Sequence, residues 1–479
     1  MEEKDSQRRQ VPFRFRNSTV KRHTPLVGSP PRATTGLVGP TEGINLASSS
    51  ENVKSKDVRD DWIYSTLPIN IAIGPVSTFV QLYILTLHGT VIDIALASTL
   101  FNAVTIPAAI IWGFATDRSE RRKPIIVLSY VAVAGSLIMF LFARTIYGVD
   151  VLYSIFSLVS SAAATPLNML IMETQPKSRW ALVFARLSMM SSVGVVSGLL
   201  LGVAWGDFLP FTLLVVPLTW LSVLSAAMSV VMIEERGIAF ERDMIVMFSR
   251  SFFHRLLALP LFFLKIPSLM DFRRFFKGGK SPLTREPVLL YSSIAAFYFA
   301  SGIFNTSLVP SLYKANVSKS GVFFVSLIAM IVQTISFRYY GKRMNLQNLR
   351  QSAFGGLVLR SVGYLAIGVS AFFFTGLPFL AYTTVFYTLA AGLAYAVYYA
   401  ASNVMVFNTL GRSGQGSALG IYSALVGFAT MIGSFISGFI SFYTGFYVTF
   451  LIAGLFMASG AAFTYLLSPT NPYIDEDIA

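Results

Sequence analysis

From Trp62 to Leu467 the chain alternates long apolar runs with short polar breaks, after an N-terminal stretch that shows no apolar periodicity. A helix needs about 20 predominantly apolar residues to cross ~30 Å of hydrocarbon, and twelve runs approach or exceed that length. They fall at 62–87, 91–115, 124–143, 150–173, 180–205 and 208–233, then at 288–312, 320–340, 351–374, 377–408, 416–441 and 444–467. The pattern predicts an all-α polytopic membrane protein of twelve transmembrane helices. Its expected parts are a disordered basic tail (1–61), a six-helix bundle (62–233), an amphipathic linker (234–287), a second six-helix bundle (288–467) and a short acidic tail (468–479). The first segment is rich in Pro, Ser, Thr and Arg and has no signal-peptide core.

Composition supports the membrane reading. Hydrophobic residues make up 54% of the chain and charged residues 13%, about half the charge of a soluble protein. No acidic residue occurs between Glu286 and Asp475, so an ordinary soluble domain is excluded there. The absence of cysteine excludes disulfides and thiolate metal sites.

The net charge of +14 raises nucleic acid as a partner, but the distribution of the cations argues against it. With the N-terminus inside, 32 of the 37 Lys and Arg fall in the tail and the inner connections. Three (Arg144, Lys314 and Lys319) fall in outer loops, and Arg186 and Arg360 lie within spans. Such asymmetry predicts both termini on the cytoplasmic side of the plasma membrane. In the linker, Phe252 to Ile266 carries His254, Arg255, Lys265 and an internal Pro260, too short and too charged to span. With the tail, it is expected to lie near anionic lipid.

Between spans two and three the chain reads Gly113-Phe114-Ala115-Thr116-Asp117-Arg118-Ser119-Glu120-Arg121-Arg122-Lys123-Pro124. Here it resembles the major facilitator superfamily, whose loop motif is G-x-x-x-D-R/K-x-G-R/K-R/K. Gly113, Asp117, Arg118, Arg121 and Arg122 match it, and Glu120 stands where the family usually has Gly. The resemblance covers 62–467. It implies two six-helix bundles rocking about a central site near the bilayer midplane, with this loop in the inner gate. Gly113 would permit close helix approach, and Glu173 would join the network with Arg121.

The resemblance also implies a cavity lined by spans 1, 4, 7 and 10, helped by 2, 5, 8 and 11. The polar residues available there are Asn70, Gln81, Asn168, Tyr298, Asn305, Gln333, Tyr395, Tyr398, Tyr399 and Asn403. Each amide could equally be an interhelical hydrogen bond; the three tyrosines and Asn403 of span ten are the best cavity candidates. Arg186 either snorkels to the inner headgroups or lends positive potential to the cavity, whereas Arg360 is expected to snorkel. Gly194, Gly198 and Gly202 recur every four residues and predict close packing of span five.

The acidic residues counted within the spans are Asp93, near the outer end of span two, and Glu173, at the inner end of span four. Proton coupling would therefore use Asp93 or the loop network, since the second half carries neither acid nor histidine. No phosphate loop, nucleotide fingerprint or metal-ligand cluster appears, so no cofactor or metal is expected. The expected function is secondary transport of a small organic solute by a monomer. Drug-like efflux and uptake of a sugar or organic acid both remain open, as does a sensor or scaffold of the same fold. An enzyme is disfavoured.

Overall fold

The computed structural model describes residues 60–119, 121–175, 179–234, 285–343, 348–409 and 415–467. The basic tail up to residue 59, the linker between 235 and 284, the acidic tail, Glu120 and Arg412 lie outside the described residues. The side chain of Asp117 does so too.

Twelve helical elements follow in order, and no strand occurs among the described residues. They are α1 (Asp61–Thr86), α2 (Val91–Arg118), α3 (Lys123–Met139), α4 (Ile146–Thr174), α5 (Trp180–Gly206) and α6 (Phe211–Met232). The second half adds α7 (Arg285–Lys314), α8 (Lys319–Arg343), α9 (Leu349–Phe373), α10 (Gly376–Val406), α11 (Gln415–Thr444) and α12 (Phe446–Tyr465). Eleven are long and apolar enough to cross a membrane, and α3, at 17 residues, is a shorter apolar helix. The expected span 124–143 is cut back because Phe140 to Ala143 leave the α ladder for tighter i→i−3 bonds.

Local sequence explains the irregularities. α1 opens as a 3-10 turn over Asp61–Ser65 and breaks at Gly74–Pro75, where the proline has no N–H to continue the ladder. α2 starts on a capping box: Thr90 accepts from the Asp93 N–H, and the Asp93 carboxylate accepts from the Thr90 N–H. α10 contains a π-helical stretch over Thr388–Ala394.

Close packing uses small residues and hydroxyls, as expected where lipid gives helices no hydrophobic drive to associate. A β-carbon at Gly194 would meet Asn70 of α1 at 2.5 Å, and one at Gly198 would strike the Ile71 carbonyl. Ser225 and Ser229 of α6 donate to Ser65 of α1. In the second half, Ser307 of α7 bonds Ser437 and Ser441 of α11 at 2.5 and 2.7 Å. Ser441 in turn meets Thr449 of α12 at 2.9 Å. Across the halves, α5 packs on α8 and α2 on α11.

Candidate functional site

Two ends of the bundle can be told apart. One, called here the basic face, carries the α2–α3 and α4–α5 connections. The opposite face carries the α1–α2, α5–α6, α7–α8 and α11–α12 connections.

On the basic face, Arg122 ties three segments together. Its Nη2 and Nε donate to Glu173 Oε1 at 2.8 and 3.1 Å. Its Nη1 donates to the carbonyls of Ser119, at 2.6 Å, and Thr116. A cation here satisfies the open carbonyls at the C-terminus of α2 and complements its dipole. The network therefore pairs Glu173 with Arg122 where the sequence suggested Arg121. Arg122 takes this place because it sits at the N-cap of α3, from which its side chain folds back over the end of α2. Arg118 is exposed. Among the described residues a β-carbon at Gly113 would meet nothing within 4 Å, so close helix approach, the role expected of this glycine, is not made with any of them.

A second pair lies nearby. Arg186 Nη1 is 3.0 Å from Asp60 Oδ2, and Gln175 Nε2 donates to Asp60 Oδ1 at 2.6 Å. Asp60, taken in the sequence as part of the tail, is thus the residue that joins the chain entry to α4 and α5. Arg186 is 54% exposed and held at the basic end by this contact.

On the opposite face the two halves touch directly. A β-carbon at Gly202 would lie 2.7 Å from the Phe323 ring, and one at Gly206 2.8 Å from the Ser320 backbone. Ser320 Oγ donates to the Val203 carbonyl at 2.7 Å. Lys319 stands over the Phe211 ring at 4.7 Å. Gly438 of α11 is filled by Ala95 and Ile92 of α2.

Between these ends lie the other expected residues. Asn70 is committed structurally: its Nδ2 donates to the Thr66 carbonyl and its Oδ1 accepts from Ser191, both at 2.7 Å. Gln81 is buried, and its Oε1 has no partner among the described residues. Asn168 and Asn305 are exposed at span depth, and Gln333 and Asn403 are half-buried. Tyr298 packs beside Tyr422. Tyr395 stacks on Tyr399 with centroids 5.5 Å apart, and Phe337 meets both rings edge-on. Tyr398 is buried against Phe297, centroids 4.3 Å apart.

Two placements correct the sequence reading. Arg360 does not snorkel. It stands at mid-length of α9, eleven residues from Leu349, so about 16 Å of helix separates it from the nearer end. It is 2% exposed and points into the second half. Asp150, a further acid within the expected span 150–173, lies inside α4, is 8% exposed and has an Oδ1 without a partner among the described residues. It is close enough to Asp93 for their charges to interact. Asp93 itself is engaged by Thr90 at 2.7 and 2.8 Å. Among the described residues no group of three or more His, Cys, Asp or Glu could hold a metal ion.

The family model for the Major Facilitator Superfamily matches residues 65–391. The chain belongs to this superfamily. Solved structures of the same fold include a peptide transporter variant, POT, at 13% identity and a TM-score of 0.64, covering 84% of this chain and 93% of that one. A nucleoside transporter variant, NupG, shows 14% identity and 0.62, over 85% and 99%. A bacterial homolog of the human lysosomal transporter Spinster, inward-facing and occupied, also shows 14% and 0.62, over 87% and 97%. No curated protein matches the chain. As a member of this superfamily the protein is a multi-pass membrane transporter, not an enzyme. The solutes named for these neighbours differ from one another, and identities this low carry the fold alone.

Proposed function

We propose that this protein is a secondary active transporter of a small organic solute, working by alternating access in the plasma membrane with its basic face inside. The observation that carries the reading is the unequal contact between the halves. At the opposite face, Gly202, Gly206 and Gly438 are each filled by residues of the other half, whereas Gly113 on the basic face meets none of the described residues within 4 Å. A bundle pinched at one end and relaxed at the other fits one member of a pair of access states. In the other state, Gly113 and the motif around it would close on the second half.

The solute site proposed here lies between the ends, where Asn168, Asn305 and Tyr399 are exposed at span depth. Amides at that depth favour a water-filled cleft over lipid. Because the second half has no acid or histidine, no proton is carried there by a carboxylate or an imidazole.

The test is solute flux in liposomes holding the purified full-length chain, with Asp117→Asn alongside. A transporter loses flux in the variant while its unfolding temperature stays near that of the wild type. A scaffold or sensor of the same fold gives no flux in either protein. Loading solute inside or outside the vesicles, with the orientation of the chain fixed by protease accessibility, separates efflux from uptake.

A further inference from the structure

Arg360 is a buried cation without a counter-charge in its half of the chain. Nε donates to Tyr364 Oη at 2.9 Å and Nη2 to Ser301 Oγ at 3.1 Å, while Nη1 is buried with no partner among the described residues. The rings of Phe297, Tyr364 and Tyr395 lie 4.6, 5.3 and 5.3 Å from the guanidinium carbon. Their faces offset part of the cost of desolvating a cation. A neutral cage still leaves the Nη1 hydrogens and the net charge uncompensated, and an unpaired buried charge is costly. No Asp or Glu between Glu286 and Asp475 can supply the missing charge. In membrane spans such ionisable groups are by default functional.

Tyr395, whose ring lies 5.3 Å from the guanidinium carbon, stacks in turn on Tyr399, which is 37% exposed. The residue before Tyr395 ends the π-helical stretch Thr388–Ala394. Such stretches depart from the regular ladder and concentrate at functional sites. Tyr395 is thus carried on backbone that a small shift in α10 can re-aim. Moving its ring aside would join the guanidinium to the exposed ring of Tyr399 and the half-buried Phe337 beside it.

We propose that Arg360 is the anion-recognition group of the solute site. The solute is then an organic anion whose carboxylate pairs with Nη1 while its apolar or aromatic body stacks on Tyr395 and Tyr399. A planar guanidinium suits a carboxylate better than any neutral donor does. This inference rests on the transport reading above. An inorganic anion such as chloride offers the same charge without the body.

The test uses the full-length chain in liposomes, in chloride-free buffer. Phenylacetate, indole-3-acetate and octanoate are each compared with the corresponding amide, and chloride is added in a separate arm. The readout is the shift in unfolding temperature with concentration. At least one carboxylate should stabilise the wild type where its amide does not. Arg360→Gln should raise the midpoint concentration at least about 30-fold, as for loss of one partner of a buried charge pair. Arg360→Lys keeps the charge without the fork, should fall between the two, and serves if the Gln variant does not fold. Equal response to acid and amide, a Gln variant responding like the wild type, or no response to any carboxylate overturns the proposal. A response to chloride alone overturns the organic solute. Flux of a neutral solute unaffected by Arg360→Gln would remove this inference and leave the transport reading intact. Carboxylate binding at Arg360 with no flux of any solute would do the reverse.

Discussion

Arg122 Nη2 lies 2.8 Å from Glu173 Oε1, and both side chains are largely withdrawn from solvent. The pair fastens the end of α2 to the end of α4, while the same guanidinium caps the last carbonyls of α2. Glu173→Gln keeps an acceptor and removes the charge. It should cost about 1–3 kcal/mol, read as a fall of a few degrees in unfolding temperature. Arg122→Gln loses the carbonyl bonds as well and should fall further. In a double-mutant cycle, the two substitutions together should cost less than their sum.

Two glycines should answer differently to the same substitution. Gly198→Ala drives a β-carbon against the Ile71 carbonyl and Pro75. It should therefore destabilise by about 1–3 kcal/mol, as overpacking does. Gly113→Leu meets open space and should leave the unfolding temperature unchanged. If the basic face closes during the cycle, Gly113→Leu should nevertheless cut flux severalfold, since the bulk would meet the second half only then. Unfolding temperature and liposome flux, measured on both variants, separate the two effects.

The absence of cysteine makes cross-linking unambiguous. A β-carbon at Gly206 would lie 2.9 Å from Ser320 Oγ, so the double variant Gly206→Cys, Ser320→Cys should form a disulfide on mild oxidation without added solute. The linked protein should be held with the opposite face shut and lose flux, and reduction should restore it. Failure to cross-link in the resting protein would show that this contact is not the populated one.

The helices, their order and the α2–α3 motif were legible because run length and charge placement are one-dimensional properties of the chain. Contacts made by single polar residues were not. In a soluble helix the apolar stripe shows which side is buried. In a membrane span lipid and protein interior are both apolar, so Arg360 could be read as reaching for headgroups when it turns inward. Asn70 gave no sign of whether it faced a cavity or Ser191. Asp60 was hidden for a different reason: it stands at the edge of a tail with no pattern, and only the fold brings it to Gln175 and Arg186. Asp150 stands at the first residue of an expected span, where position alone does not tell a loop charge from a buried one, and its burial makes it the more unusual carboxylate. The small-residue repeat of α5 was legible in kind. Its division was not: Gly194 and Gly198 face α1, and Gly202 faces α8.

Asp93 and Asp150 are neighbours with different employment, and substitution should separate them. The Asp93 carboxylate accepts from the Thr90 N–H and hydroxyl at 2.7 and 2.8 Å. Asp93→Ala should therefore cost about 1 kcal/mol through loss of the cap, while Asp93→Asn keeps an acceptor and most of the stability. Asp150 has a buried oxygen with no partner. Asp150→Asn removes a desolvated charge at nearly constant shape, so it should unfold at the same temperature or higher. A group spent on a helix cap is poorly placed to pick up and release a proton in each cycle. Flux driven by a pH gradient should therefore survive Asp93→Asn in liposomes. Its abolition there, with the unfolding temperature unchanged, would return the coupling role to Asp93.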